Sequence, residues 1–281
     1  MASVDHNETD LSGNNQLSQA SIDVQTIHLS DHSTCVRDSG GSGVPIVLIH
    51  ALAMDSHMWI DHGIFHKLAI SVDQYGAPQR VLCYDLRGHG FAQDAPRITS
   101  LDQVADDLAD LLRVLCIDKV DVMGVSFGGG VAQIFSLNHP EFVRSAAFIA
   151  TTSRGSPVMA DCANLAEQNG LESLLEPTLS RWFEPETIAE NAQCVIFARD
   201  RLGKLRLETW AAAWRAIAAI DCQHRLHELQ IPVLILAGSH DTSTTVSVMR
   251  QMFEACRMAD YREIDRGMHL FVIEVPTAGP G

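Results

Sequence analysis

The sequence predicts an α/β fold built on a mostly parallel sheet. Short apolar runs alternate with helix-period patterns at both ends of the chain, the rhythm of strands joined by helical crossovers. PIVLIH (45–50) and RVLCYD (80–85) are apolar along their length, as strands covered on both faces are. A glycine-rich turn at 124–128 joins a strand pattern directly to a helix pattern.

Taken in order, DVQTIHLS (23–30) and STCVRD (33–38) read as a hairpin at a sheet edge, and GGSG (40–43) is a turn. The strand at 45–50 is followed by helical character over 57–70, and the strand at 80–85 runs into the turn DLRGHG (85–90). Residues 100–115 are the clearest helix. Leu101, Val104, Leu108, Leu111, Leu112 and Leu115 form one apolar stripe, with Ser100 placed to cap it. VDVMGV (120–125) is a strand, 127–140 a helix stopped before Pro140, and SAAFIA (145–150) a strand. IPVLILAG (231–238) is a strand, followed by a helix around 246–256 and a short strand near 260–264. Residues 153–222 break the rhythm with mainly helical patterns and three tryptophans, Trp182, Trp210 and Trp214. A helical insertion between two strands of an open sheet is expected near their carboxyl ends, where ligands bind. The polar, aromatic-poor stretch 1–20 reads as a disordered leader. The predicted organisation is therefore a core of residues 21–152 and 223–281 around the insertion 153–222.

Composition narrows the function. With 20 Lys plus Arg against 35 Asp plus Glu, the net charge is -15. Such a surface disfavours nucleic acid and anionic lipid as partners. The leader has no apolar signal region, and no run approaches a membrane span. The seven cysteines form no C-x-x-C pair and read as buried thiols of a reducing, cytoplasmic protein.

Gly124-Val125-Ser126-Phe127-Gly128 matches G-x-S-x-G between strand and helix. An elbow of this kind exposes the serine Oγ at a strained corner. A serine needs a general base, and the base an orienting acid, which follow this elbow in the order acid, then histidine. Asp241, just after the strand 231–238, and His269, after the last strand, satisfy order and strand-end position. An oxyanion hole requires amide donors aimed at the developing charge. Phe127, after the nucleophile, and Leu52, in the loop after the first buried strand, are the expected donors.

LIHALAMDSHMW (48–59), YDLRGHG (84–90), GVSFGGGVAQ (124–133), ILAGSHD (235–241) and RGMHL (266–270) together resemble the α/β-hydrolase superfamily over roughly residues 23–276. Arg181-Trp182-Phe183, the H-A-L-A loop and the run 210–238 resemble the 3-oxoadipate enol-lactonase-like group. The resemblance implies that 153–222 is a helical cap over the active site. It also implies a hydrolase using Ser126 as nucleophile, His269 as base and Asp241 as orienting acid, with no metal or organic cofactor. Two departures stand out. Ala51 replaces the glycine that many relatives carry, and the sequence ends 12 residues after His269, where relatives continue into a helix packed on the sheet. An apolar patch left there is one that a second subunit would cover, so a homodimer is among the expected assemblies.

The substrate expected is a small ester or lactone, foremost an enol-lactone of a dicarboxylic acid. Carbon–carbon bond hydrolysis, acyl transfer and a non-catalytic ligand receptor on the same scaffold are the alternatives. Trp182, Trp210 and Trp214 are candidates for the pocket wall, and Arg181, Arg215 and Arg154 for a substrate carboxylate. His57, His62 and His66 lack a metal-ligand pattern and read as a solvated helix face. Arg87 and His89 read as turn and packing residues.

Overall fold

The computed structural model describes residues 22–72 and 76–274; the predicted leader, 1–20, lies outside them. The strands are β1 (Asp23–His28), β2 (Ser33–Asp38), β3 (Ile46–Ile49), β4 (Val81–Tyr84), β5 (Val120–Val125), β6 (Val143–Ile149), β7 (Val233–Gly238) and β8 (Ala259–Ile264). They form one sheet in the order β1-β2-β4-β3-β5-β6-β7-β8. β1 and β2 make the expected antiparallel hairpin and β2 pairs antiparallel with β4, while all other pairs are parallel. The fold is that of the α/β hydrolases.

β3 and β4 are almost wholly buried, which explains their unbroken apolar sequence. β7 alternates instead, with Ile235 buried and Leu234 36% exposed, so one sheet face is open there. The helical pattern over 57–70 becomes two short helices, α1 (His57–Ile60) and α2 (Ile64–Ala69), because Gly63 adopts φ 76° between them. That left-handed conformation suits glycine and ends a helix. His62 and His66 are half-buried, and His62 packs edge-on against Phe197 at 5.1 Å. These histidines are therefore packing residues, not the solvated face expected. α3 (Leu101–Val114) buries its leucine stripe, and the Ser100 hydroxyl accepts from the Gln103 N–H. α4 (Phe127–Asn138) lies at the centre of the fold, with Phe127 through Leu137 all buried.

Between β6 and β7 the chain forms α5 (Pro157–Asn169), α6 (Leu175–Trp182), α7 (Pro185–Ala189), α8 (Gln193–Lys204) and α9 (Leu207–Ala218); α10 (Val246–Ala255) precedes β8. No helix among the described residues is long and apolar enough to cross a membrane. All seven cysteines are free thiols. Five are buried as expected, but Cys116 is exposed and Cys162 partly so. Cys116 lies just beyond α3, in a turn where its backbone takes φ 53°.

The turn after β4 is built on Arg87, whose side chain is 2% exposed. Its five N–H groups reach Asp107 at 2.7 and 2.8 Å, Asp31 at 2.9 Å twice, and the Pro96 carbonyl at 3.2 Å. Hydrogen bonds from Arg87 hold the Asp31 carboxyl down, to about 2. A carboxyl lowered on folding stabilises fully above its unfolded value near ~3.9, and that share is lost as pH falls toward the folded one. Arg87→Met leaves Asp107 buried without its counter-charge, a loss of about 3–5 kcal/mol. Thermal unfolding should show a Tm several degrees lower, with less dependence on acid between about pH 4 and 2.

Candidate active site

The centre of the site is the junction of β5 and α4. Ser126 stands there at φ 54°, ψ -116°, a backbone state that non-glycine residues avoid and that strains the chain by about 1–3 kcal/mol. It persists because its surroundings fix it. Ser126 N–H donates to the Ile149 carbonyl at 2.9 Å, and the Ser126 carbonyl accepts from Gly130 N–H and the Thr151 hydroxyl. The glycines allow this close approach. A Cβ on Gly124 would lie 2.1 Å from the Gly128 carbonyl oxygen, and one on Gly128 would lie 2.4 Å from that of Ile49.

Asp241 follows β7 and His269 follows β8. Their loops are locked together, His240 N–H donating to the Gly267 carbonyl and Arg266 N–H to the Ser239 hydroxyl. Gly238 and Gly267 touch so closely that a Cβ on Gly238 would lie 2.2 Å from the Gly267 oxygen. His269 Nε2 is 2.8 Å from Ser126 Oγ, and its Nδ1 is 2.9 Å from Asp241 Oδ2. Asp241 Oδ1 also accepts from the amides of Ser243 and Thr244, and Oδ2 from the Thr244 hydroxyl. Burial pushes the Asp241 carboxyl up, but the charge and hydrogen bond of His269, with Thr244, outweigh it and leave it below its usual range. An ionised carboxylate only accepts, so His269 Nδ1 carries the proton and Nε2 faces the serine hydroxyl as acceptor. This arrangement can withdraw a proton from Ser126.

Ser126, His269, Leu52 and Phe127 border a pocket with about 610 Å³ of empty space, part of it open to solvent. Phe127 N–H begins α4 and Leu52 N–H sits in the loop after β3; neither has an acceptor among the described residues. Leu101, Met159, Ile217 and Ile220 make the wall apolar, together with Trp182 and Trp214. Thr151, Thr152, Ser243 and Thr244 also line it and were not singled out from sequence. The available signal was position, since Thr151 and Thr152 follow β6 after one intervening residue, Ala150.

Three expectations need correction. Trp210 is 1% exposed and outside the pocket, its Nε1 donating to the Cys162 carbonyl at 3.2 Å. It belongs to the packing of α9 against α5. Arg215 faces away, forked onto Glu167 at 2.7 Å twice. Arg154 is exposed beside Asp221. Arg181 does line the pocket. Among the described residues no carboxylate pairs with it; its Nη2 is 3.4 Å from Thr178 Oγ1 and its side chain adjoins the Cys162 thiol.

A family model described as the alpha/beta hydrolase fold matches residues 44–181. The chain is 31% identical to 3-oxoadipate enol-lactonase 1 of Acinetobacter baylyi over 233 residues, 80% of this chain and 84% of that protein. It is 22% identical to (E)-2-((N-methylformamido)methylene)succinate hydrolase of the same organism, over 90% of this chain and 93% of that one. Among solved structures, the enol-lactonase from Burkholderia xenovorans LB400 superposes with a TM-score of 0.79 at 26% identity, covering 89% of this chain and 94% of that one.

The geometry separates the two neighbouring tryptophans of α9. Trp210→Ala should lower Tm, by about 3–5 kcal/mol of stability. Trp214→Ala is expected to change KM more than Tm, because its ring forms pocket wall. Paired melting and kinetic measurements on the two variants check this.

Proposed function

The chain belongs to the α/β-hydrolase fold family and resembles its 3-oxoadipate enol-lactonases, and from that premise we propose that it is a serine hydrolase of small esters or lactones. The observation that carries this reading is the relay Asp241–His269–Ser126, at 2.9 and 2.8 Å, on a strained elbow beside two unpaired amides. Ser126 Oγ attacks the substrate carbonyl as its proton passes to His269 Nε2, and Asp241 stabilises the resulting imidazolium. The oxyanion of the tetrahedral intermediate is taken by Leu52 and Phe127 N–H. Collapse breaks the carbonyl–oxygen bond of the ester or lactone. The leaving oxygen takes the proton from His269, and in a lactone it remains attached as a ring-opened arm. Water, deprotonated by His269, then attacks the acyl-enzyme, and the released Ser126 oxygen recovers its proton.

The substrate we favour is a lactone carrying a carboxylate, an enol-lactone of a dicarboxylic acid. Arg181 supports this. The other arginines of the insertion face carboxylates, Arg199 on Glu176, Arg201 on Asp55, Arg206 on Asp94, Arg215 on Glu167 and Arg154 on Asp221. Arg181 has none among the described residues and lines the pocket. A cation left unpaired in a largely apolar pocket suits an anionic substrate group. The residues 153–222 act in this reading as the cap that sets specificity.

A fluorophosphonate probe should label Ser126, and Ser126→Ala should remain folded while kcat falls by about 10⁴ or more. Labelling of another residue, or retained turnover, refutes the mechanism. Arg181→Met should raise KM for a carboxylated lactone by about 10- to 100-fold, the worth of a charged hydrogen bond. It should leave a neutral ester of similar size nearly unchanged. Equal effects on both substrates would mean that the arginine does not read the carboxylate.

A further inference from the structure

Ser126 and Phe127 share one peptide unit, whose carbonyl belongs to Ser126 and whose N–H belongs to Phe127. In a trans peptide the two point in opposite directions, so whatever holds the carbonyl also aims the amide. That carbonyl accepts twice, from Gly130 N–H at 3.0 Å and from the Thr151 hydroxyl at 2.8 Å. The first bond is one that a residue capping any helix accepts, and it selects no particular backbone state. Ser100, Ser156 and Thr245 cap α3, α5 and α10 with ψ of 167°, 155° and 157°, whereas Ser126 has ψ -116°. The bond from Thr151 is what the elbow has in addition.

Several features bring that hydroxyl into place. Just past β6, Ala150 is buried and takes φ 44°, a left-handed state that strains an alanine. Its N–H donates to the Leu236 carbonyl at 3.0 Å, and the bend leads directly into Thr151, which is 2% exposed. Thr151 N–H points at Met249 Sδ, at 3.4 Å. On the side of α4, a Cβ on Gly129 would lie 2.6 Å from the Thr151 Cβ. The glycine after the G-x-S-x-G pattern is therefore the one that lets Thr151 approach. Buried Gln133 donates from its side-chain amide to the Gly129 and Thr152 carbonyls, at 3.1 Å each, and ties this end of β6 to α4. A carbonyl only accepts, so the Thr151 hydroxyl proton is committed to Ser126.

We propose that Thr151 is a positioning residue. Its hydroxyl fixes the plane of the Ser126–Phe127 peptide and so keeps Phe127 N–H aimed at the oxyanion. The inference rests on the serine-hydrolase reading, because this amide has that use only there. The effect runs through the backbone, so it belongs to turnover and not to substrate affinity.

Kinetics and NMR test it. With a nitrophenyl ester, Thr151→Val, which keeps shape but removes the donor, should lower kcat by about 10- to 100-fold with KM within about threefold. Thr151→Ser, which restores the donor, should recover most of that loss. A trifluoromethyl ketone, whose adduct with Ser126 carries the same oxyanion, should bind the valine variant more weakly by a factor similar to the loss in kcat. A valine variant as fast as wild type, a serine variant no better than valine, or a slow valine variant that still binds the ketone fully overturns the proposal. In wild type, the buried hydroxyl should exchange slowly with solvent, so that an equal mixture of H2O and D2O splits the Thr151 Cβ signal in two. A single averaged signal overturns the proposal whatever the activity, and this spectrum decides if Thr151→Val does not fold. A wild type that neither cleaves esters nor takes fluorophosphonate at Ser126 instead refutes the serine-hydrolase reading, leaving the spectrum to judge the Thr151 bond.

Discussion

The backbone of Ser126 is the constraint around which the rest is arranged. At φ 54° and ψ -116° the chain must pass from strand to helix with no intervening loop, and β5, α4 and the end of β3 must nearly touch. Glycines at 124 and 128 are the consequence, since any Cβ there would sit inside a neighbouring carbonyl. So is the depth of α4, which is buried from Phe127 to Leu137. The strain at one residue is thus held by a whole layer of packing, as strained functional residues require.

Charge follows a similar economy. Asp241 accepts four hydrogen bonds, so its carboxylate form is stabilised without exposure to water. The histidines under the loop after β3 work the other way, as neutral rings that pair backbone amides. Arg87 ties down the turn that carries His89 by filling each of its donors. Asp241 and Arg87 thus occupy positions where their full hydrogen-bonding capacity is met, and the buried histidines are met as acceptors of backbone amides.

Much of this was legible in the sequence, and the limits have physical causes. The buried strands and the stripe of α3 follow from hydrophobic period, and Ser126, Asp241 and His269 from order and strand-end position. Gly63 was visible as a break in 57–70, but the apolar pattern around it outweighed a single residue. Trp210 and Trp214 are one helical turn apart and share a face of α9; only the approach of α5 decides which is enclosed. Arg215 and Arg181 are equally cationic in sequence. Their difference lies in Glu167, 48 residues away from Arg215 in the chain, a pairing that no local pattern encodes. His89 is read from the sequence as a turn and packing residue; that its ring meets the Arg87 carbonyl and the Ala53 amide depends on the approach of the loop after β3, which no local pattern encodes.

The short segment from Trp182 to Glu184 joins the helical insertion to the loops that carry Asp241 and His269. The Trp182 carbonyl accepts from Leu270 N–H, immediately after His269. Glu184 N–H donates to Glu274, while the Glu184 carboxylate contacts His240, immediately before Asp241. The insertion is therefore not an interchangeable module. A chimera that exchanges residues between β6 and β7 to alter substrate choice must keep this three-residue splice. Otherwise the transplanted helices arrive without the bonds that hold His269 in register with the serine, and a change meant for selectivity becomes a loss of turnover.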